Sequence, residues 1–145
     1  MRLVAITSYD GSRFFGLQTQ QGAAVTVMES FERALAKCGI FQKAVYAGRT
    51  DTGVHATYQP IAFDIDDFWA KKLEAYGGEI LLKTLNSKLP DSIKIKKLYE
   101  ADNTLSNMLH SNPGRMARLR LNVAKNMVHS AINRKNSLGA HCIQE

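Results

Sequence analysis

Cysteine, proline and long apolar runs are all scarce in this chain of 145 residues, and each scarcity excludes a class of protein. Two cysteines cannot build the disulfide framework of a small secreted domain. Three prolines and ten glycines exclude collagen-like and low-complexity chains. The apolar runs are much shorter than a membrane-spanning helix requires, and no basic-then-apolar leader opens the sequence. We therefore expect a soluble, globular, cytoplasmic protein without membrane contact, made of one domain or of one domain and a tail.

The charge of the chain is positive and unevenly distributed. Nineteen basic and thirteen acidic residues give a formal net charge of +6 and an isoelectric point near 9.4. Residues 1–101 hold 13 basic and 11 acidic side chains, whereas residues 102–145 hold 6 basic and 2 acidic ones. This balance favours an anionic partner, and nucleic acid is the commonest such partner for a small basic domain.

The cysteines and histidines do not indicate a metal site. Cys38 falls near a predicted helix end and is interpreted as a small core residue, and Cys142 belongs to no CxxC pair. His141, with His129 and His110 upstream, matches no standard zinc spacing. We therefore predict reduced thiols and no bound metal.

The apolar pattern predicts an alternation of strands and helices over the first two thirds of the chain. The predicted strands are Arg2–Tyr9, Ala44–Ala47, Tyr58–Ile65 and Ile93–Leu98, and the predicted helices start after Thr26 and after Asp66. The order β-α-β-β-α-β is that of the ferredoxin-like fold, an antiparallel sheet with two helices on one face. We therefore predict an α+β, ferredoxin-like domain at residues 1–101. An irregular or helical basic tail is predicted at residues 102–145.

Local signals predict where these elements begin and end. Thr26 and Glu29 form a capping-box pattern, and Gly39 supplies a left-handed stop after the first helix. The Gly77–Gly78 pair predicts a break in the second helical region. Pro60 has no amide hydrogen to donate, which predicts a sheet edge or a strand start at that position. The apolar face of the second helical region is predicted to contain Phe68, Leu73, Ile80, Leu81 and Leu85.

A polar turn between the second and third predicted strands carries a carboxylate close to an arginine, in the sequence Gly48-Arg-Thr-Asp-Thr-Gly-Val-His-Ala56. Loops mounted on a rigid sheet commonly display reactive groups. Arg49 can pair with Asp51 and orient it, and an ionised carboxylate can act as a nucleophile or a general base. Surface ion pairs are common, so residue types alone favour a stable turn closed by such a pair over a reactive site.

This turn resembles the active-site signature of the TruA family of tRNA pseudouridine synthases. Four further motifs of that family occur in the family's order along the chain. The matching residues are Tyr9, Asp10, Gly11, Phe14, Phe15, Gly16, Gln18 and Gln20; Thr26, Val27, Glu29, Ala34 and Leu35; Gln59, Phe63 and Asp64; and Leu85, Asn86, Leu89, Pro90, Asp91 and Ile93. The family's N-terminal half has the ferredoxin-like fold, in agreement with the fold predicted independently from the apolar pattern.

The resemblance implies an enzyme that isomerises uridine to pseudouridine in the anticodon stem-loop of tRNA, without a cofactor or a metal. It makes Asp51 the catalytic carboxylate that attacks a flipped-out nucleotide. Arg49 would hold Asp51 and occupy the gap that the uridine leaves in the RNA stack, where unstacking costs a few kcal/mol. Whether Asp51 first engages the ribose or the base is left open.

The resemblance also implies a set of substrate-binding residues around this turn. His55, Gln18 and Gln20 would border the same cleft as the catalytic carboxylate. Arg13 is a candidate phosphate contact, although a solvated loop charge fits it about equally well. Val54 is predicted to pack beneath the loop. A homodimer is the assembly that the resemblance suggests.

Beyond residue 101 the similarity to the family fades. The family's base-stacking tyrosine has no counterpart, with Ala117 near its position, and stacking is worth about 1–3 kcal/mol per base. The second half of the family fold, which closes the cleft, has no counterpart of sufficient length. We interpret residues 102–145 as a divergent segment of a truncated, internally deleted or frame-shifted synthase. A non-catalytic RNA-binding module and an inactive synthase fragment remain the alternatives.

Overall fold

The secondary structure follows the predicted order of strands and helices. The computed structural model of the chain describes residues 1–22 and 24–101. The described elements are β1 (Arg2–Tyr9), a 3-10 turn (Gly11–Arg13), α1 (Val27–Lys37), β2 (Val45–Tyr46), β3 (Ala56–Asp64), α2 (Asp67–Tyr76), α3 (Glu79–Asn86) and β4 (Ile93–Glu100). This order confirms the predicted β-α-β-β-α-β pattern, with the second helical region divided into α2 and α3.

The four strands form one antiparallel sheet in the order β2-β3-β1-β4. The central strand β1 pairs with β3 on one side and with β4 on the other, and both partners are distant from it in sequence. Crossover connections through helices place the four strands in this order, as expected for a split βαβ arrangement. The predicted ferredoxin-like α+β fold is therefore confirmed.

Helix α1 begins and ends where its sequence predicts. Thr26 Oγ1 accepts a hydrogen bond from the Glu29 amide at 3.2 Å, and Gly39 has a left-handed φ of +80°. The reciprocal half of the predicted capping box is absent from the hydrogen bonds of the described residues, and the Glu29 carboxylate accepts a hydrogen bond from Arg33 Nη2 at 2.7 Å. One turn separates these two side chains, which favours such a pair on an exposed helix face.

The predicted break between α2 and α3 occurs at Gly77. This residue has a left-handed φ of +77°, and its amide donates to the Leu73 carbonyl at 2.8 Å, which ends α2. Glu79 then begins α3. A residue with a side chain is strained at this φ, so glycine is the residue that allows the chain to turn here.

One residue of the predicted apolar face is placed wrongly, since Phe68 is 58% exposed whereas its neighbour Trp69 is 6% exposed. The Trp69 indole Nε1 donates to the Cys38 carbonyl at 2.9 Å, which ties α2 to the end of α1. The Phe68 ring remains at the surface with Lys72 Nζ 4.4 Å from its centroid. Burying the larger indole, with its donor satisfied, outweighs burying the phenyl ring.

The main core lies between the helices and one face of the sheet. Phe31 of α1 meets Phe63 of β3 edge to face, with ring centroids 5.8 Å apart. Both rings belong to a cluster that collects buried side chains from β1, β3, β4 and the three helices. Alternate residues of a strand point to opposite faces, so Val4, Ile6 and Ala62 form a second, smaller cluster on the other face.

Pro60 lies in the middle of β3, a central strand, so the prediction of an edge position or a strand start is wrong. Its carbonyl accepts from the Ala47 amide at 3.3 Å, just beyond the two-residue strand β2. The nitrogen and the carbonyl of one strand residue face the same neighbouring strand. The missing amide hydrogen of Pro60 therefore faces Ala47, and the hydrogen bond that proline cannot make falls just beyond the end of the β2–β3 ladder.

The limits of β2, β3 and β4 differ from the predicted ones by one or two residues. β2 is shorter than predicted, at Val45–Tyr46, whereas β3 starts at Ala56 and β4 continues to Glu100. β4 extends because it continues to pair with β1 as far as the Leu3↔Glu100 position. The predicted basic tail at 102–145 lies outside the described residues, so the predicted domain boundary after residue 101 stays a prediction.

Membrane insertion has no helical candidate in the described part of the chain. None of α1, α2 and α3 has the length and the apolar character that a membrane span requires.

Candidate active site

The loop between β2 and β3, residues 47–55 and here named the Asp51 loop, presents its carboxylate to solvent. The Asp51 side chain is 86% exposed, and Arg49 Nε lies 3.8 Å from its Oδ1 atom, with the Arg49 side chain 42% exposed. This distance is longer than a hydrogen bond, so the pair is an electrostatic contact rather than a rigid clamp. The predicted proximity of the two side chains is observed.

Thr50, immediately before Asp51, is held by both its side chain and its backbone. Its Oγ1 atom lies 2.6 Å from the Tyr9 hydroxyl oxygen at the end of β1. Its carbonyl accepts a hydrogen bond from the Leu17 amide at 3.1 Å. Burial raises the pKa of Tyr9, and the hydrogen bond to Thr50 partly offsets that rise. The backbone that carries Asp51 is therefore fixed from the segment that follows β1.

Two glycines of that segment let the Asp51 loop approach it closely. A Cβ atom on Gly11 would lie 1.9 Å from the Val54 carbonyl oxygen, and one on Gly16 would lie 3.1 Å from the Thr50 carbonyl oxygen. Gly16 also has a left-handed φ of +84°. The predicted packing of Val54 beneath the loop is wrong, because its side chain is 45% exposed. The backbone of Val54, rather than its side chain, makes the close contact.

The loop is also tied to β3 and closed by its own turn. The buried side chain of Gln59 donates through Nε2 to the Gly48 carbonyl at 3.1 Å. The Val54 amide donates to the Asp51 carbonyl at 3.2 Å, across Gly53 with its left-handed φ of +81°. The loop is therefore anchored at its start, before its carboxylate and after it, which keeps an exposed side chain on a constrained backbone.

His55, at the end of the loop, pairs with a carboxylate that follows β1. His55 Nδ1 lies 3.0 Å from Asp10 Oδ1, which also accepts from the Ser12 hydroxyl at 2.6 Å and the Ser12 amide at 3.0 Å. The hydrogen bonds from Ser12 hold the pKa of Asp10 below its ordinary value, with smaller contributions from His55 and Arg13. Ser12 thus holds the Asp10 carboxylate in place beside the imidazole ring of His55.

An open cavity of about 510 Å³ adjoins the Asp51 loop. Its lining includes Arg13, His55, Asp10 and Lys94, so the structure brings together the predicted substrate-binding residues Arg13 and His55. Asp51 is not among the described residues that line this cavity. The cavity therefore meets the Asp51 loop at His55, its last residue.

The two predicted glutamines lie outside that lining and differ from each other. Gln20 Nε2 donates to the Phe15 carbonyl at 2.7 Å, so this side chain shapes its own loop. Gln18 is half-buried, and its Oε1 atom is buried without a hydrogen-bond partner among the described residues. Neither glutamine contacts Asp51 in the hydrogen bonds of the described residues.

Sequence reasoning did not assign a role to three residues that position the Asp51 loop, namely Tyr9, Thr50 and Gln59. All three fall within the family motifs quoted above, and that membership is the one sequence feature that could have indicated a role for them. Their partners lie 41, 41 and 11 residues away along the chain, and no local pattern identifies such pairings.

Metal ligands are not grouped in the described part of the chain. No set of three or more His, Cys, Asp or Glu side chains there could hold an ion. The histidines considered at the sequence level, His110, His129 and His141, and Cys142 with them, lie outside the described residues.

The chain is similar to curated proteins named tRNA pseudouridine synthase A. The protein from Thermotoga neapolitana is 40% identical over 102 residues, which cover 68% of this chain and 38% of that protein. The protein from Thermus thermophilus is 40% identical over 94 residues, covering 65% and 34%. The protein from Neisseria gonorrhoeae is 44% identical over 93 residues, covering 63% and 32%. No protein-family model matches the chain.

These matches extend over about two thirds of this chain but under two fifths of each relative. Identity near 40% over more than ninety residues indicates common ancestry. The ferredoxin-like sheet and the Asp51 loop agree with it. The matched part of the chain belongs to the TruA family of tRNA pseudouridine synthases.

Proposed function

We propose that the chain acts as a tRNA pseudouridine synthase on uridine in the anticodon stem-loop. The observation that carries the proposal is the exposed Asp51 carboxylate on a backbone anchored from β1 and β3, with Arg49 beside it. The names of the relatives support the reaction and the tRNA substrate. Since those relatives are much longer than the matched region, the activity of this chain is a proposal in its own right.

The chemistry required of the site is an isomerisation. The bond from the ribose C1′ to N1 of the base breaks, a bond from C1′ to C5 forms, and the proton of C5 is exchanged for one on N1. No atoms are gained or lost, so the reaction has no external reactant. The carboxylate of Asp51 would be the nucleophile that attacks the extruded nucleotide, at the ribose or at the base.

Arg49 would hold the carboxylate before RNA binds and fill the vacated position in the stack afterwards. Its contact with Asp51 is 3.8 Å long, so moving the guanidinium into the RNA breaks no hydrogen bond of the loop. Water screens an exposed carboxylate strongly, and electrostatic catalysis needs a site from which water is excluded. The bound RNA itself would therefore cover Asp51.

Arg13 and His55 would contact the RNA in the adjoining cavity, where both line the wall. A guanidinium there suits a phosphate group. Because Nδ1 of the His55 ring faces Asp10, the other ring nitrogen, Nε2, would face the ribose or the base. We extend the proposal to a cytoplasmic location, where tRNA is the substrate and the thiols stay reduced, and to a homodimer.

The test is pseudouridine formation on an anticodon-arm transcript, read by mass spectrometry for the wild-type chain and for Asp51→Asn. The variant keeps the shape of the side chain and removes its charge, so we expect the rate to fall by roughly a thousandfold or more. Asp67→Asn, an exposed aspartate on α2, is the matched control and should retain the rate.

Two results would overturn the proposal. Equal rates for the wild-type chain and Asp51→Asn would remove this carboxylate from the chemistry. RNA binding without any product from the wild-type chain would favour the non-catalytic RNA-binding alternative.

A further inference from the structure

A second cavity, of about 480 Å³, lies on the side of α1 and is lined by four basic side chains. Arg13, Arg33, Lys37 and Lys88, here named the basic surface, come from three separate parts of the chain. The remaining lining residues are apolar side chains and two serines, so the lining of this cavity contains no carboxylate.

The fold assembles the basic surface from elements that are distant in sequence. Arg33 and Lys37 are four residues apart on α1 and therefore lie on one face of that helix. Lys88 follows α3, and Arg13 ends the turn after β1. The basic surface therefore depends on the tertiary fold and is not a local run of basic residues along one helix.

The charges of the basic surface are poorly neutralised by the protein. Arg33 pairs with Glu29 at 2.7 Å, but no salt bridge joins Arg13, Lys37 or Lys88 to a carboxylate of the described residues. The negative ends of the α1 and α3 dipoles lie near Lys37 and Lys88, but each supplies only a partial charge. Like charges around one cavity repel each other, and an anionic occupant relieves that repulsion.

The basic surface is continuous with the cavity beside the Asp51 loop. Arg13 and Ser92 line both cavities, so the two share a wall. From that shared wall, one cavity leads to His55 and the Asp51 loop, and the other leads to Lys37 at the far end of α1. A polyanion with several phosphates, rather than a single small anion, fits two adjoining cavities that share Arg13. Its phosphates would contact the basic surface, because the first cavity also has the carboxylates of Asp10 and Asp91 in its lining.

We propose that the basic surface binds the phosphodiester backbone of a structured RNA while one nucleotide of that RNA lies at the Asp51 loop. The identity of the RNA as tRNA rests on the proposed function. The contacts are to phosphates, so the surface supplies affinity and register without reading the base sequence.

The experiment measures the affinity of the full chain for a fluorescent anticodon-arm transcript over a series of KCl concentrations. The test variant is Arg33→Gln/Lys37→Gln/Lys88→Gln. The control is Lys43→Gln/Lys71→Gln/Lys83→Gln, which removes the same charge from exposed positions that line neither cavity. We expect the test variant to bind about tenfold or more weakly near physiological salt, with the slope of log Kd against log salt reduced by about 2. The control should stay within about threefold of the wild-type chain.

A second variant separates the surface from the stability of α1. Lys37→Gln/Lys88→Gln leaves the Glu29–Arg33 pair intact and should still reduce the slope by about 1.5. Equal weakening by the test and control variants would show that only net charge matters and would overturn the proposal. RNA affinity that is unchanged in both the triple variant and the double variant would also overturn it.

Binding and chemistry fail separately in this design. The Asp51→Asn chain should bind the transcript with the wild-type salt slope, because the basic surface is intact. If that chain and the wild-type chain both bind without forming product, the proposed function fails and the surface stands. If product forms while the test variant binds normally, the surface fails and the proposed function stands.

Discussion

The hydroxyl oxygen of Tyr9 lies 2.6 Å from the hydroxyl oxygen of Thr50, so the end of β1 holds the residue immediately before Asp51. Tyr9→Phe removes this contact and keeps the ring. We expect the free energy of unfolding to fall by about 1 kcal/mol, the usual net value of one hydrogen bond. Under the proposed function, pseudouridine formation should slow by roughly tenfold because the carboxylate is less well positioned.

Urea unfolding and the transcript assay check these two effects. Tyr76→Phe is the control, since this tyrosine is exposed on α2 and far along the chain from the loop. A Tyr9→Phe chain with unaltered stability and rate would show that the hydroxyl contact does not position the loop.

Gly11→Ala should displace the Asp51 loop. Its Cβ atom would fall 1.9 Å from the Val54 carbonyl oxygen, so one of the two backbones must move. We expect a loss of about 1–3 kcal/mol in the free energy of unfolding, as for other overpacked sites. Gly48→Ala is the matched control from the same loop, because a Cβ atom there meets nothing within 4 Å. Similar losses in both variants would contradict the proposed close approach.

Acid should weaken the ion pair that joins β1 to the end of β3. The Arg2 guanidinium donates to the Asp64 carboxylate through Nε at 2.7 Å and Nη2 at 2.6 Å, which holds the pKa of Asp64 below its ordinary value. A carboxyl with a lowered folded-state pKa stabilises the fold fully above its unfolded-state pKa of about 3.9. That contribution is lost as the pH falls through the folded-state pKa.

We expect the free energy of unfolding of the wild-type chain to decrease as the pH falls below about 4. The decrease should be smaller in Asp64→Asn, which lacks the titrating carboxyl. Both side chains are more than one third exposed, so the difference should be at most about 1 kcal/mol. Urea unfolding at several pH values measures it, and Arg2→Gln should reproduce the change. Identical acid sensitivity in the wild-type chain and both variants would contradict this assignment.

Asn86 links the end of α3 to β4 through both of its amide atoms. Its Oδ1 atom accepts from the Ile95 amide at 2.8 Å, and its Nδ2 atom donates to the Ile95 carbonyl at 2.9 Å. Asn86→Ala leaves both backbone groups without these partners, and we expect a loss of about 2–3 kcal/mol in thermal or urea unfolding. Ser87→Ala, which removes an exposed hydroxyl bond to Thr84, should cost less than about 0.5 kcal/mol.

The parts of the fold that could be predicted are those with local signals. The limits of β1 follow from a segment rich in apolar and β-branched residues, and α1 is bounded by Thr26 and Gly39, whose effects act within one turn. The Gly77 break is equally local. The proximity of Arg49 to Asp51 was predictable because only one residue separates them.

The contacts that constrain the site could not be predicted from local signals. The pairing of Asp10 with His55 and the close approach of Gly11 to Val54 join segments more than forty residues apart. These contacts form because β1 and β3 are adjacent in the sheet, and the pairing of two strands so far apart in sequence is set by the whole fold. Pro60 was misplaced for the same reason, since its tolerated central position depends on where β2 ends.

The single tryptophan of the chain is buried at 6% exposure and bonded to the carbonyl of Cys38. Its fluorescence emission therefore reports whether α2 is docked on the end of α1, and it does not report the order of the Asp51 loop. Under the proposed function, a substitution in that loop that abolishes pseudouridine formation and leaves the emission maximum and the unfolding midpoint unchanged has an effect confined to the loop. The protein thus carries its own optical probe for separating a damaged site from a damaged scaffold.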